Sequence, residues 1–220
     1  YLQGAKRVLK QRNILLKQRA PKSQILAWDK SLIQLSAKID KLRDKYFQEL
    51  LNIMQTEIKH AFPDIPIQIK YYRGWNKDTD IAQILQKNLE YDLNSGYTHA
   101  GVHRADIKIS VHGQNATQIL SQGQQKTLVS LLLLAQATLF SKHQARPCIL
   151  LLDDLNSELD KNNLKKLLKA LLMQKHQLIL TAISEDQPII KLLNELLQDK
   201  DAMEIIAIDK EIHEIAALRT

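Results

Sequence analysis

The sequence predicts an α/β protein: a mostly parallel sheet flanked by helices, preceded by an antiparallel helical arm and a small β element. After residue 121, short apolar runs alternate with segments of helix length, which is typical of strands buried between helices. Before residue 62, apolar residues recur at spacings of three and four along segments that one proline separates. We therefore expect a helical arm at 1–62, an α+β part at 63–118 and an α/β part at 119–220.

The arm is predicted to contain two helices. Residues 1–20 have a helical pattern, and Pro21 ends it because proline cannot continue a helix. A longer helix is expected from about 31 to 60. Its apolar seam has the heptad spacing of paired helices and consists of Leu32, Leu35, Ile39, Leu42 and Tyr46. We expect the two helices to pack antiparallel.

The rest of the chain follows from the same periodicities. The middle part is predicted to contain a strand at 65–72, a helix at 80–93 and a strand through Ile107, Ile109 and Val111. In the last part, helices are predicted at 122–141, 158–173 and 188–197. Strands are predicted there at 148–152, 177–183, 203–208 and 211–215.

Composition and charge narrow the function classes. The 31 Lys and Arg residues exceed the 24 Asp and Glu residues, and the net charge of +7 favours a polyanionic partner such as nucleic acid. No apolar run is long enough to span a bilayer, so we predict no membrane association. The single cysteine, Cys148, fits a core position and a cytoplasmic location. Because the chain begins with Tyr1, we expect that upstream sequence was removed.

Two acidic residues follow the apolar strand at 148–152. Asp153 and Asp154 are thereby expected at the carboxyl edge of a sheet, where α/β proteins bind ligands. In a nucleotide-hydrolysing enzyme the first carboxylate holds Mg²⁺ and the second orients or deprotonates the attacking water. An acidic turn after a strand is also common without such a role, so a structural role stays open.

A second motif opens the helix predicted at 122–141. Ser121 is a favourable N-cap, and Gly123 lets the backbone come close to a ligand. The free N–H groups of a helix N-terminus can receive a phosphate, and Lys126 adds positive charge on the same turn. Simple helix capping is the alternative.

The order of these motifs indicates more than either motif alone. The segment Asn156-Ser157-Glu158-Leu159-Asp160 follows the two acids, and a later strand ends at Thr181. This set resembles the signature motif, Walker B and D-loop of ABC-type ATPases. Residues 120–183 are similar to RecF recombination proteins of the SMC-like group, and three upstream stretches add to the likeness: 9–13, 28–33 and 101–106.

The resemblance implies a fold, a site and a set of partners. The fold is the C-terminal half of an ABC-type ATPase. The site residues that it implies are Asp153 for Mg²⁺, Asp154 for water activation, Ser121, Gly123 and Gln124 for ATP bound to a partner subunit, Ser157 and Asp160 of the D-loop, and Thr181 at the switch position. The intact protein would be a slow ATPase that uses ATP and Mg²⁺, forms a homodimer with ATP, binds double-stranded or gapped DNA, and loads a recombinase with RecR- and RecO-like partners.

Some features depart from the family pattern. RecF proteins carry proline and aspartate where this chain has Val102 and Ala105, although His103 and Arg104 remain. No Gly-x-x-x-x-Gly-Lys-Ser/Thr loop occurs. Gly96 and Gly101 have the spacing of its two glycines, but Val102 and His103 follow them in place of lysine and serine or threonine. We therefore predict that this chain alone hydrolyses no ATP.

The basic first helix is a candidate DNA contact. Its candidate residues are Lys6, Arg7, Lys10, Arg12 and Lys17. A solvated helix face is the alternative, and Trp28 and Trp75 are expected to pack in the core. For the whole chain, the alternatives are another SMC-like or transporter ATPase, or a DNA-binding or dimerisation module without activity.

Overall fold

A computed structural model describes residues 1–153, 155, 159–174, 176–182, 188–197, 203–207 and 214–218. The chain forms two compact units. The first comprises Tyr1–Gln48 and Ile69–Ile109, and the second comprises Glu49–Gln68 and Ser110–Thr220. This division differs from the three segments expected from the sequence because one long helix contributes residues to both units.

The helices of the first unit are α1 (Leu2–Lys17), most of α2 (Lys22–Ala61) and α3 (Ile81–Ser95). Helix α2 begins directly after Pro21, earlier than the sequence predicted, because proline is tolerated at the start of a helix. The N-cap of α3 is Asp80, whose carboxylate accepts the Ala82 amide, and Gly96 ends the helix with a φ of 75°.

Apolar side chains from these helices form the core of the first unit. Leu32 and Ile39 of the predicted seam are buried, together with Trp75, whereas Leu42 and Tyr46 are exposed. The seam is therefore a core-facing stripe only in its first half. The prediction that Trp28 and Trp75 pack in the core is confirmed.

A three-stranded sheet has the order β1 (Ile67–Tyr72), β2 (Asp106–Val111) and β3 (Gln114–Asn115). Strands β2 and β3 pair antiparallel, and Val111 opposes Gln114. The two residues between them, His112 and Gly113, have φ values of 49° and 79°, as a type I′ hairpin turn requires.

Helices and strands alternate in the second unit. After the short helix α4 (Ala116–Ile119) come α5 (Gln122–Gln144), β4 (Ile149–Leu152), α6 (Lys161–Leu172), β5 (Gln177–Ala182), α7 (Pro188–Leu196), β6 (Met203–Ala207) and β7 (Glu214–Leu218). Its core consists of leucine faces of α5 and α6, the inner residues of β5 and the apolar face of α7.

The second sheet has the strand order β4-β5-β7-β6. Strands β4 and β5 are parallel, whereas β5–β7 and β6–β7 pair antiparallel. The predicted α/β class is confirmed, but the prediction of a mostly parallel sheet is wrong. The reason is the pairing of β6 with β7, because strands that are consecutive along the chain pair antiparallel without needing a crossover helix.

Strand β4 lies at one end of this strand order. Ile149 and Leu151 on one side of it are 62% and 74% exposed. The expectation of a sheet buried on both faces is therefore wrong for β4. Within the ranges that the structure describes, no helix has the length and apolar content required to cross a membrane.

Candidate functional site

The carboxyl ends of β4 and β5 bring Asp153 and Thr181 together. The two strands are parallel, and Leu152 is in register with Leu180, so the residues that follow each of them are neighbours. The Thr181 hydroxyl donates a hydrogen bond of 2.5 Å to Asp153 Oδ1. Asp153 itself is exposed. Asp153 thus presents an oriented carboxylate to solvent at the strand tip.

This carboxylate fits the role of a Mg²⁺ ligand. Mg²⁺ is usually held by one or two carboxylates together with water and substrate phosphates. No cluster of three or more metal-ligating side chains occurs among the described residues. Asp154 and Ser157, which the sequence also assigned to the site, lie outside the described residues.

The start of α5 is a complete capping box. The Ser121 hydroxyl accepts the Gln124 amide at 3.3 Å, and Gln124 Oε1 accepts the Ser121 amide at 2.9 Å. Ser121 lies exposed at the helix N-terminus. Gln125 holds the preceding turn, because its side-chain amide donates to the Leu120 carbonyl at 2.9 Å. The helix N-terminus is therefore pre-formed and open to solvent.

Gly123 has a packing role that the sequence did not reveal. A methyl group placed on Gly123 would lie 3.1 Å from the Asn163 amide nitrogen and 3.4 Å from an Asp160 carboxylate oxygen. The first turn of α5 therefore lies directly against the N-terminus of α6. Thr127, which is fully buried, donates to the Gly123 carbonyl at 2.8 Å and fixes the same turn.

Asp160 is the N-cap of α6. Its Oδ1 accepts the amides of Asn162 and Asn163 at 3.0 and 2.9 Å, and its Oδ2 accepts the Asn163 side-chain amide at 2.6 Å. The Asn163 backbone amide is the largest cause that lowers the pKa of Asp160 below its usual value of 3.8. The carboxylate therefore stays ionised at neutral pH and holds the contact with α5.

Replacing Asp160 with alanine is expected to destabilise the chain by about 1 kcal/mol at neutral pH, because an N-cap acceptor is lost. Since the folded pKa is lowered, the stabilisation is present above 3.8 and is lost as the pH falls through the folded pKa. Urea unfolding at neutral pH and near pH 3 measures the difference in the free energy of unfolding between the variant and the unsubstituted chain. This difference should be smaller in acid. Asp64→Ala, at an exposed position, is the control. A difference that does not change with pH would contradict the prediction.

Four of the five basic candidates on α1 face solvent. Lys6, Arg7, Lys10 and Lys17 are exposed, whereas Arg12 is fully buried. The assignment of Arg12 to DNA contact is therefore corrected, because its guanidinium lies in the interior of the first unit. Charge and spacing along α1 could not separate Arg12 from its exposed neighbours.

Arg12 organises a buried polar network. Its Nε donates to Asp29 at 2.6 Å, and its Nη1 donates to Asp92 and to the Thr98 hydroxyl, each at 2.8 Å. Arg12 and Asp92 are both 0% exposed. The network joins α1, α2, α3 and the loop that follows α3, so it fixes the helical arm of the first unit.

Arg12→Ala is expected to lower the free energy of unfolding by about 3–5 kcal/mol. Removing one partner of a buried pair leaves the other carboxylates buried without a counter-charge. Urea unfolding followed by circular dichroism measures this effect. Lys10→Ala, an exposed position on the same helix, should change stability by less than about 0.5 kcal/mol. Equal effects of the two substitutions would rule out the network as the source of stability.

The stretch at 101–106 has a structural role in this chain. His103 Nε2 lies 2.9 Å from the Thr98 carbonyl, and Val102 is buried in the core. Burial is the largest cause that lowers the pKa of His103. The sequence left the role of this stretch open and gave no signal for Thr98 and His99, because polar residues in a loop have no periodic pattern.

Comparison with known proteins places these features in a family. The chain is 37% identical over 182 residues to the DNA replication and repair protein RecF of Vibrio parahaemolyticus, which covers 83% of this chain and 51% of that protein. It is 43% identical over 183 residues to RecF of Hydrogenovibrio crunogenus, covering 82% and 51%. No protein-family model matches the chain.

Solved structures give the same result. The recombination mediator protein RecF with ATP, from the RecFOR pathway, has a TM-score of 0.67 and 27% identity, covering 80% of this chain and 50% of that one. The same mediator in a structure named RecF-ATPrS has a TM-score of 0.65 and 29% identity. The chain spans about half the length of the relatives that it matches. The resemblance predicted from the sequence is thereby confirmed: this chain is similar to RecF proteins over about half of their length.

Proposed function

We propose that a full-length protein containing this chain is an ATP-dependent DNA-binding clamp of recombinational repair. ATP and Mg²⁺ would close a homodimer on double-stranded or gapped DNA, and slow hydrolysis would open it. The clamp would promote recombinase loading at gaps together with RecR- and RecO-like mediators. The observation that carries this proposal is the exposed carboxylate of Asp153, oriented by Thr181 at the carboxyl edge of a parallel strand pair.

Two features of the second unit support a shared nucleotide site: Asp153 at the end of β4 and the exposed N-terminus of α5. Asp153 would hold Mg²⁺ beside the nucleotide of its own subunit. The open N-terminus of α5 would receive the γ-phosphate of the nucleotide on the partner subunit, because free N–H groups and the helix dipole favour an anion there. Asp154 would orient the attacking water.

Gly123 and Asp160 link the two halves of this proposed site. The start of α5, which would contact ATP of the partner, packs directly on the N-cap of α6, which follows the Walker B strand. Movement at one nucleotide would therefore displace residues at the other. Thr181 would act by orienting Asp153, since its hydroxyl already donates to that carboxylate and cannot carry the charge of a switch histidine.

We propose that a segment of the full-length protein covers the open face of β4. Ile149 and Leu151 are too exposed for a complete core, and the 182 matched residues span only 51% of the Vibrio parahaemolyticus relative. The chain contains no phosphate-binding loop. For both reasons the chain alone is expected to bind ATP weakly and to hydrolyse none.

DNA contact is assigned to the exposed residues of α1. Lys6, Arg7, Lys10 and Lys17 would neutralise phosphates without reading sequence, so binding should weaken steeply with salt. Arg12 is excluded from this set because it is buried.

Asp154→Asn in the full-length protein tests the proposed clamp. It should accumulate an ATP-bound dimer, because water activation is lost while Asp153 still holds Mg²⁺. Size-exclusion chromatography with ATP, together with phosphate release, measures both effects. Asp64→Asn, an exposed position, should behave like the unsubstituted protein. A variant that releases phosphate at the normal rate would show that Asp154 has another role.

A further inference from the structure

A buried histidine lies at the start of the parallel strand pair, at the opposite end from Asp153. His176 immediately precedes β5 and is 2% exposed. Its Nδ1 accepts a hydrogen bond from the backbone amide of Cys148, the residue before β4, at 3.4 Å. The Cys148 carbonyl in turn accepts the Gln177 amide at 3.0 Å. One side-chain contact and one backbone contact therefore join the starts of the two strands.

The bond from Cys148 determines which ring nitrogen of His176 carries a proton. A backbone N–H can only donate, so Nδ1 is the unprotonated nitrogen and the neutral ring carries its proton on Nε2. Nε2 lies 3.3 Å from the Thr138 hydroxyl of α5. The hydroxyl accepts from Nε2 and uses its own proton to donate to Gln174 Oε1 at 3.3 Å.

The series of hydrogen bonds continues from Gln174 to α2, where Gln174 Nε2 donates to Glu57 Oε1 at 3.4 Å. An ionised carboxylate can only accept, so the series has a donor at one end, an acceptor at the other, and one direction for every bond between them. We call the side chains of His176, Thr138, Gln174 and Glu57 the His176 chain. It holds the imidazole ring in one orientation from α5, from the segment after α6 and from α2.

The contact at Cys148 matters because strand register decides what lies beside Asp153. Leu152 is in register with Leu180, and this register brings Asp153 next to the Thr181 hydroxyl. A shift of β4 by one residue would turn its side chains to the opposite faces and separate Asp153 from that hydroxyl. Within the described part of the chain, β4 lies at the end of the strand order, so its register depends on the contacts with β5.

We propose that His176 is a positioning residue for the Mg²⁺ site: with its proton on Nε2, it fixes the register of β4 on β5 and thereby places Asp153 beside Thr181. This inference rests on the proposed role of Asp153 and adds a residue that contacts neither metal nor nucleotide. Because Glu57 belongs to α2, the His176 chain also makes the nucleotide site depend on that helix.

Three substitutions of His176 in the full-length protein separate this role from simple packing. In His176→Asn the side-chain oxygen takes the place of Nδ1 and can still accept from Cys148. In His176→Gln the amide takes the place of Nε2, so it reaches Thr138 but leaves the Cys148 amide without its acceptor. His176→Phe keeps a ring and loses both nitrogens.

The expected difference is in the turnover of ATP. His176→Phe and His176→Gln should each lower kcat about tenfold, as for residues that support a metal ligand. The Mg²⁺ concentration at half-maximal activity should rise, whereas KM for ATP should stay within about twofold, because the groups that bind the nucleotide are unchanged. His176→Asn should keep at least about half of the activity, because the bond to Cys148 is retained.

The dependence on α2 has its own pair of variants. Glu57→Ala should lower kcat about threefold, since the His176 chain loses one weak hydrogen bond at its far end. Glu49→Ala is the matched control on the same helix, because Glu49 contacts His143 and not the His176 chain. Equal rates in these two variants would overturn the dependence on α2.

Chemical shifts of the ring nitrogens in isotopically labelled histidine give a measurement on the unsubstituted protein. They distinguish a protonated from an unprotonated nitrogen, and the signals of His176 are those absent from His176→Asn. The expected result is a proton on Nε2 and none on Nδ1. A proton on Nδ1 overturns the proposed positioning role, because Nδ1 could then not accept from Cys148.

Thermal unfolding checks that each variant folds, and Asp153→Asn separates the two levels of the proposal. Loss of hydrolysis in Asp153→Asn with normal kcat and Mg²⁺ dependence in His176→Phe overturns the positioning role but not the Mg²⁺ site. Equal losses in His176→Asn and His176→Phe also overturn it, because packing would then explain the effect. Normal hydrolysis in Asp153→Asn overturns the metal role of Asp153 and this inference with it.

Discussion

Ser121→Arg is expected to abolish ATP-driven dimerisation of the full-length protein. The serine is exposed at the N-terminus of α5, where the proposal places the γ-phosphate of the partner's nucleotide. An arginine side chain would fill that space and would put a bulky cation where the helix N–H groups must reach the phosphate. Sedimentation velocity with and without ATP measures the result directly.

The capping role of Ser121 requires a separate control. Its hydroxyl accepts the Gln124 amide, so substitution by arginine also removes a helix cap that contributes about 1 kcal/mol. Ser121→Ala removes the cap but leaves the space open, and it should retain a measurable ATP-dependent dimer. If Ser121→Arg dimerises as well as Ser121→Ala, the start of α5 is not part of a shared nucleotide site.

Asp153→Asn is expected to reduce Mg²⁺-dependent ATP hydrolysis by at least about 100-fold in the full-length protein. The neutral amide keeps the size of the side chain but loses the negative charge that attracts the metal. Thr181 would still donate to the remaining oxygen, so the strand tip should keep its geometry. Phosphate release as a function of Mg²⁺ concentration is the measurement.

Thr181→Val provides a graded comparison. It removes the hydroxyl that orients Asp153 and keeps the shape of the side chain, so activity should fall by about 10-fold, within the range for residues that support a metal ligand. The Mg²⁺ concentration needed for half-maximal activity should rise at the same time. Equal rates in the presence and absence of the Asp153 carboxylate would contradict the metal role of this residue.

Periodicity determined most of the elements. The apolar runs at 149–152 and 177–182, and the helix-length segments between them, were identified because buried strands and amphipathic helices have different repeats. The order of the signature, Walker B and D-loop motifs identified the family, which the comparisons confirm. Local sequence was sufficient for these features because each depends on residues that are close together along the chain.

Strand pairing in the second sheet could not be read in this way. The sequence predicted β6 and β7, but it did not reveal that β7 pairs antiparallel with β5. A strand of a given pattern can pair in either direction, and the choice depends on how the connecting segments pack. The exposure of Ile149 and Leu151 likewise depends on what covers β4, and the pattern of apolar residues along the strand does not reveal this.

Side-chain environments depend on packing between distant parts of the chain. Arg12 and Lys10 are both basic residues of α1, yet one is enclosed by Asp29 and Asp92 and the other is in solvent. Gly123 was expected to make room for a ligand, and the folded chain shows in addition that its lack of a side chain makes room for Asp160 and Asn163.

Periodic repeats and short motifs were enough to predict most elements, the resemblance to RecF and the positions of Asp153 and Ser121, because repeats and motifs are local properties. Only the folded chain decided which charges are buried, which strands pair and which rings are exposed. Those properties depend on contacts between distant residues, such as Arg12 and Asp92, which are 80 residues apart in the chain. The pattern of residues within a short segment cannot predict such contacts.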